Sequence, residues 1–149
     1  MVADFVLALL HHVLVFSLVG ILAVEIALMR PGIGAAEVRR LGRYDIAYGI
    51  VAGLILLAGF ARVFWGAKGA DYYLGNHSFW AKISAFAIVA LISIGPTLRI
   101  VDWGRQVRRD PAFVPADNEV RIMRRLMHAE GFFLVLVIAF AAAMARFST

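Results

Sequence analysis

The chain has 149 residues, and 62% of them are hydrophobic, well above the roughly 45–50% that is usual in a soluble domain. A small globule cannot bury this excess, so a mean hydropathy of +0.83 argues against a soluble enzyme, a disordered tail and a nucleic-acid-binding module. The net charge of +5 then fits the sidedness of membrane loops, and the lack of cysteine excludes disulfides and thiol redox chemistry.

Four apolar blocks follow one another along the chain, at residues 5–29, 45–64, 79–101 and 126–145. Each has about 20 residues, which as a helix crosses about 30 Å of hydrocarbon. Because backbone polar groups cannot stay unpaired in lipid, we predict an all-α integral membrane protein with one domain, residues 1–149. Its four transmembrane helices form an up-down-up-down bundle. The first block lacks a basic start and a cleavage pattern, so we expect a span and not a signal peptide.

Basic residues set the expected orientation of the four spans. Of the 15 Lys and Arg residues, 11 lie in the first and third loops. Short loops rich in Lys and Arg stay in the cytoplasm. We therefore expect loops one and three to be cytoplasmic and both termini to lie outside.

The segments between the blocks carry local signals. Arg30-Pro31-Gly32 predicts the end of the first helix, because proline cannot continue it. Residues 37–44 and 117–125 have basic amphipathic patterns, which predict short interfacial leads into the second and fourth helices. Gly49 and Gly53 form a GxxxG pair, which permits close helix approach. We expect this pair to pack within the bundle more than to form a dimer.

Ionisable residues inside the spans are candidates for function, because a charge in hydrocarbon costs at least a few kcal/mol. On the first helix, a stripe at positions 11, 15, 18, 22 and 25 places His11 and Glu25 on one face, and His12 points about 100° away. We therefore predict that His11 faces inward, although it could serve only to hydrogen-bond a neighbouring helix. The full set comprises His11, His12, Glu25, Asp45, Lys82, His128 and Glu130.

Three acids lie toward the cytoplasmic ends of their helices, and two readings of them stay open. The first is a salt-bridge cluster with nearby arginines at the boundary of the membrane, which we favour. The second is a proton relay from the cytoplasm toward His11. The acids are Glu25, Asp45 and Glu130, and the candidate arginines are Arg40, Arg43 and Arg125.

His11 and Lys82 come from the first and third helices at similar depth. A neutral imidazole is a good axial ligand for haem iron, and a buried amine can be one too. We therefore expect haem b between these helices, with its propionates toward Arg62 or Lys68 and with Trp80 in the segment that covers the site. A quinone or a porphyrin is the expected redox partner. The alternative for Lys82 is that it reaches up to the outer interface.

The pattern resembles a family of small bacterial four-helix membrane proteins known only as a domain of unknown function. The likeness runs along nearly the whole chain and implies a fold and a bacterial inner-membrane location. It rests on a histidine in the first span, then Glu25, Arg30-Pro31-Gly32, Arg39-Arg40-Leu41, Asp45, Arg62-Val63-Phe64-Trp65-Gly66, Lys68-Gly69 and Phe79-Trp80-Ala81-Lys82.

A more distant likeness is to HemJ, the membrane protoporphyrinogen oxidase family. That family also has a histidine in its first span and a Trp-then-Lys opening to its third. The resemblance implies b-type haem with His11 and Lys82 as ligands. The leading hypothesis is thus a haem b-binding membrane redox protein, in which an enzymatic activity remains open. The alternatives are a non-enzymatic subunit or oligomeric scaffold, and a small proton-coupled transporter that uses Glu25, Asp45 and Lys82.

Overall fold

A computed structural model of the protein describes residues 2–65 and 74–146. Its four long helices are α1 (Val2–Leu28), α2 (Ala35–Trp65), α3 (His77–Arg109) and α4 (Asp117–Arg146). Each of them is long and apolar enough to cross a membrane, which confirms the predicted fold class.

The outer surface of the bundle is strongly apolar. Phe16, Leu57 and Leu91 are 72%, 67% and 68% exposed, and many other large apolar side chains also point outward. A soluble monomer rarely exposes continuous apolar surface of this kind. The outward face is therefore the one that lipid chains cover.

The helices pack as two hairpins. Helix α1 packs along α2, and α3 packs along α4, so we call these pairs hairpin A and hairpin B. The hairpins meet chiefly through α2 and α3, whereas α1 and α4 touch least. Within hairpin B the contact is tight, because a Cβ at Gly95 would lie 3.2 Å from Leu126 Cδ1. We call the boundary between the hairpins the seam. The helices pack less closely across the seam than within each hairpin.

Helices α2, α3 and α4 are the longest of the four, and each extends beyond the hydrocarbon core of the membrane. Helices α2, α3 and α4 have 31, 33 and 30 residues, or about 45–50 Å, against a hydrocarbon core of about 30 Å. The extra length lies at the end that carries the connections 29–34 and 110–116, here called the basic end; the opposite end is the aromatic end. The predicted leads of α2 and α4 form part of this extension. The continuation of α3 over residues 102–109 is an addition to the predicted elements.

The basic end is closed by an apolar layer. Its fully buried side chains, which we call the apolar cap, are Met29, Leu41, Trp103, Val107 and Val120. The Trp103 indole N–H donates a hydrogen bond to Glu119 Oε2 over 3.2 Å. The other oxygen of that carboxylate pairs with Arg99 at 3.2 Å. This clamp ties α3 to α4 beyond the apolar blocks.

The turn after α1 requires glycine at one position. Gly32 has φ +80°, and no atom lies within 4 Å of an added Cβ. Gly32→Ala should therefore lower the free energy of unfolding by about 1–2 kcal/mol through backbone strain alone. Gly34→Ala is the control, since its Cβ would make only an ordinary 3.5 Å contact. Equal losses for the two variants in detergent unfolding would contradict the argument.

The prediction that Gly49 and Gly53 pack within the bundle is wrong. Both glycines are exposed, and nothing lies within 4 Å of an added Cβ at either position. The face of α2 that turns inward carries Asp45 and Tyr48 instead. Polar side chains lose more in lipid than glycines do, so they decide the rotation of the helix.

Candidate functional site

An apolar groove lies in the seam, toward the aromatic end. Apart from His11 and Lys82, the described side chains that line it are apolar, and the groove has a volume of about 80 Å³. All four helices contribute, so a ligand there would touch both hairpins. The lining residues are His11, Val15 and Leu18 of α1; Ile55, Leu56, Gly59, Phe60 and Val63 of α2; Phe79, Lys82, Ile83 and Phe86 of α3; and Leu134, Val137 and Ile138 of α4.

His11 faces this groove, as the stripe on α1 predicts. Leu18, Leu22 and Glu25 of the stripe are buried, and His11 is half-buried. The α2 backbone comes close to its ring, because a Cβ at Gly59 would lie 3.8 Å from His11 Cε1. The imidazole therefore sits between the two helices of hairpin A and opens toward hairpin B.

His12 lies on the other side of the helix. Its side chain is exposed, and its Nδ1 lies 2.6 Å from the Ala8 carbonyl oxygen, to which an N–H at that position donates. Its ring stands edge-on to that of His11, with centroids 6.3 Å apart. The two neighbouring histidines thus face different surroundings, which makes His12 a matched control for His11.

Lys82 reaches the groove from the first turns of α3. That helix begins after Asn76, whose side chain accepts a hydrogen bond from the Ser78 backbone N–H over 2.9 Å. Lys82 Nζ lies 5.2 Å from the centroid of the buried Phe79 ring, where the negative ring face attracts an ammonium group. To bind a metal through its lone pair, this nitrogen must first give up a proton.

Of the three other residues predicted at the cofactor site, Trp80 is described and does not line the groove. Trp80 is 53% exposed, and its indole N–H donates to the Leu74 carbonyl oxygen over 3.0 Å. It therefore covers the start of α3 and does not line the groove. Lys68 and the side chain of Arg62 lie outside the described residues.

A second polar group of side chains lies nearer the basic end. This acid cluster consists of Glu25 of α1, Asp45 and Tyr48 of α2, Thr97 of α3 and Glu130 of α4. Glu25 and Glu130 are 2% exposed, Tyr48 is 6% and Asp45 is 9%. The Thr97 hydroxyl donates to Asp45 Oδ1 over 2.7 Å. Glu25 Oε1, Glu130 Oε1 and the Tyr48 hydroxyl oxygen are buried without a hydrogen-bond partner among the described atoms.

None of the described arginines forms an ion pair with these acids. Among the described side chains, the ion pair that forms joins Arg99 to Glu119, at the basic end. Arg40, Arg43 and Arg125 are all exposed, so they face water or lipid headgroups and not the interior. The salt-bridge reading of the acids therefore does not describe this geometry. His128 is exposed on α4 and also stands apart from them.

An apolar layer separates the acid cluster from the groove. His11 and Glu25 are 14 residues apart on α1, or about 20 Å along the helix. The buried side chains between the two levels on α1 and α4 are Leu18, Leu22 and Leu134. A proton relay from the acids to His11 would therefore need a path that these side chains do not offer.

Tyr48 and Thr97 belong to the acid cluster but are not among the candidates from the sequence. Tyr48 follows Asp45 by three residues, so helical spacing places it on the same face and provides a usable signal. Thr97 carries no comparable signal, because a hydroxyl in an apolar helix often bonds its own backbone. Its hydrogen bond to Asp45 forms only because α2 and α3 pack side by side.

The donor groups limit what the described chain can bind. Across residues 2–65 and 74–146, no three or more His, Cys, Asp and Glu side chains are arranged to hold a metal ion. The groove instead presents two nitrogen donors from opposite hairpins.

Comparison with known proteins places the chain in a family and gives no activity. A family model described as "Predicted membrane protein (DUF2214)" matches residues 3–147. No curated protein and no solved structure matches. The likeness to HemJ therefore stays a prediction from the sequence.

Proposed function

The chain is a member of the DUF2214 family of predicted membrane proteins, and we propose that it is a redox protein that binds b-type haem in the groove between its hairpins. One observation carries the proposal: His11 and Lys82, from different hairpins, line the same apolar groove. Imidazole and amine nitrogens can both serve as axial ligands. The apolar lining excludes water and favours a flat hydrophobic cofactor.

The chemistry of the lining residues suits haem, whereas the volume of the groove is small for it. Pockets for ligands of drug size usually have about 300–1,000 Å³, whereas this groove has about 80 Å³. A porphyrin must therefore extend along the seam, and hairpins A and B must separate to admit it. The sparse contact between α1 and α4 supports such a movement.

Each lining group has a role in this proposal. Bound haem would be held by His11 from hairpin A and by Lys82 from hairpin B once that amine has lost its proton. Phe60, Phe79 and Phe86 line the groove, so they would pack against the cofactor and keep water away. Bound haem supplies one-electron transfer. A quinone dissolved in the bilayer is the partner whose chemistry and location match a groove within the apolar part of the bundle.

The test is the absorption spectrum of protein purified in detergent from cells supplied with haem. We expect a Soret band in the wild type, its loss in His11→Ala and its retention in His12→Ala. Circular dichroism establishes that each variant keeps its helices. A colourless wild-type protein, or a band that His11→Ala leaves unchanged, would refute the proposal.

Lys82 has a separate test that distinguishes ligation from charge. Lys82→Met removes the nitrogen, and Lys82→Arg keeps a positive charge on a group that does not lose its proton in proteins. If Lys82 is an axial ligand, both variants should shift the Soret band in the same way. A wild-type spectrum in Lys82→Arg would show that the lysine contributes only charge.

A further inference from the structure

The acid cluster lies apart from the groove, and the function proposed above makes no use of it. We propose that it is a proton-binding site, in which Glu25, Asp45 and Glu130 hold protons as hydrogen-bonded carboxylic acids inside the bundle. The proposal is independent of haem, because it concerns a different level of the structure.

The charge balance around the three acids favours their neutral form. All three carboxyl groups are at least nine-tenths buried, and no described basic side chain forms an ion pair with any of them. They also interact with one another as like charges if ionised. Buried carboxylates without a cation or water are among the most unfavourable groups in a protein interior. Protons remove this cost without any further ligand.

Apolar side chains enclose the acid cluster on two sides. Toward the basic end, Met29 and Leu41 of the apolar cap are fully buried. Toward the aromatic end, Leu18 and Leu134 are buried side chains of the groove lining that lie between the cluster and His11. The cluster is thus held between two apolar layers, which limits the water that could stabilise ionised carboxylates. A metal ion is a poor alternative, because the described acids are not arranged as a metal-binding group.

The hydrogen-bonding groups of the cluster also favour protonated acids. The described polar groups of the cluster are Glu25 from α1, Asp45 and Tyr48 from α2, Thr97 from α3 and Glu130 from α4. Ionised carboxylates only accept hydrogen bonds, whereas each proton adds one O–H donor. Three oxygen atoms of the cluster are buried without a partner among the described atoms. Protonated acids supply the donors that such buried oxygens need.

Proton binding at this place would act on the joint between the hairpins. Glu25, Asp45 and Tyr48 belong to hairpin A, and Thr97 and Glu130 belong to hairpin B. The bond from Thr97 to Asp45 crosses from one hairpin to the other. Loss of the protons would place like charges on both sides of the seam, so we infer that proton binding keeps the hairpins together.

Infrared spectroscopy of the purified protein at neutral pH tests the site directly. We expect a C=O stretching band of neutral carboxylic acid in the wild type. Glu25→Gln and Glu130→Gln should each weaken this band and keep the fold, because a neutral amide replaces a neutral acid of similar shape. Asp117→Asn is the control, since Asp117 is exposed at the start of α4. Its band should equal that of the wild type.

Two results would overturn the proposal. One is the absence of the neutral-acid band, or a band that neither glutamine variant changes. The other is a rise in the wild-type unfolding temperature on addition of Na⁺, Mg²⁺ or Ca²⁺ that Glu25→Gln abolishes, since the acids would then bind a cation. A colourless protein that retains the band would refute haem binding and leave the proton site intact.

Thr97→Val provides a test if the glutamine variants fail to fold. Valine keeps the size of threonine and removes the hydroxyl that donates to Asp45. Weaker hydrogen bonding raises the C=O stretching frequency of a carboxylic acid. We therefore expect part of the band to move to higher frequency, and an unmoved band would count against a protonated Asp45.

Discussion

Trp103→Ala should lower the free energy of unfolding by about 3–5 kcal/mol, the usual cost of removing a large buried aromatic side chain. Trp103 is fully buried in the apolar cap, and it lies 26 residues after the start of α3. That distance is about 40 Å, which exceeds the hydrocarbon thickness. The alternative environment for this side chain is therefore water and not lipid. Reversible unfolding in mixed micelles, followed by circular dichroism, measures the loss.

Two variants separate the causes of this loss. Trp103→Phe keeps most of the aromatic packing but removes the hydrogen bond to Glu119, at a cost of about 1 kcal/mol from the bond itself. Trp80→Ala removes a tryptophan that is 53% exposed, so it should cost much less than Trp103→Ala. Equal losses for Trp80→Ala and Trp103→Ala would contradict the assignment of a packed layer at the basic end.

The parts of the fold that follow from simple rules could be predicted from the sequence. Four apolar blocks of the right length predict four spans, because lipid leaves the backbone no alternative to helices. The inward face of α1 follows from His11 and Glu25, since ionisable side chains avoid lipid. In the structure, Leu18 and Leu22 between them are buried, as this face requires.

The contacts between helices could not be predicted in the same way. In a helix that is apolar all round, hydropathy does not indicate which face turns toward the other helices. The glycine pair of α2 led to the prediction of the wrong inward face. Thr97 meets Asp45 only because α2 and α3 pack together at that level. Trp103 is buried because α3 continues beyond its apolar block. The polar residues of this extension lower its hydropathy, so a hydropathy pattern does not predict it.

The two sites share one structural feature, which is the seam between the hairpins. The groove opens in the seam near the aromatic end, and the acid cluster crosses it nearer the basic end. A change that widens the seam at one level would thus strain the contacts at the other. Haem entry requires the hairpins to separate, and proton loss favours their separation. The two proposals together therefore predict that haem binding and proton loss favour each other.

Gly59→Leu should lower the haem content of the purified protein at least about tenfold, which corresponds to about 1.4 kcal/mol of binding free energy. A Cβ at Gly59 would lie 3.8 Å from His11 Cε1, so the rest of the leucine side chain would extend into the groove. The groove has only about 80 Å³ and must already widen to admit a macrocycle, so the leucine would occupy space that the cofactor needs beside His11. Soret absorbance per mole of protein measures the loss.

Gly53→Leu is the control, because Gly53 lies on the exposed face of the same helix with nothing within 4 Å of an added Cβ. Haem content that Gly59→Leu leaves unchanged would place the cofactor elsewhere, and an equal loss in Gly53→Leu would show that the groove is not the cause.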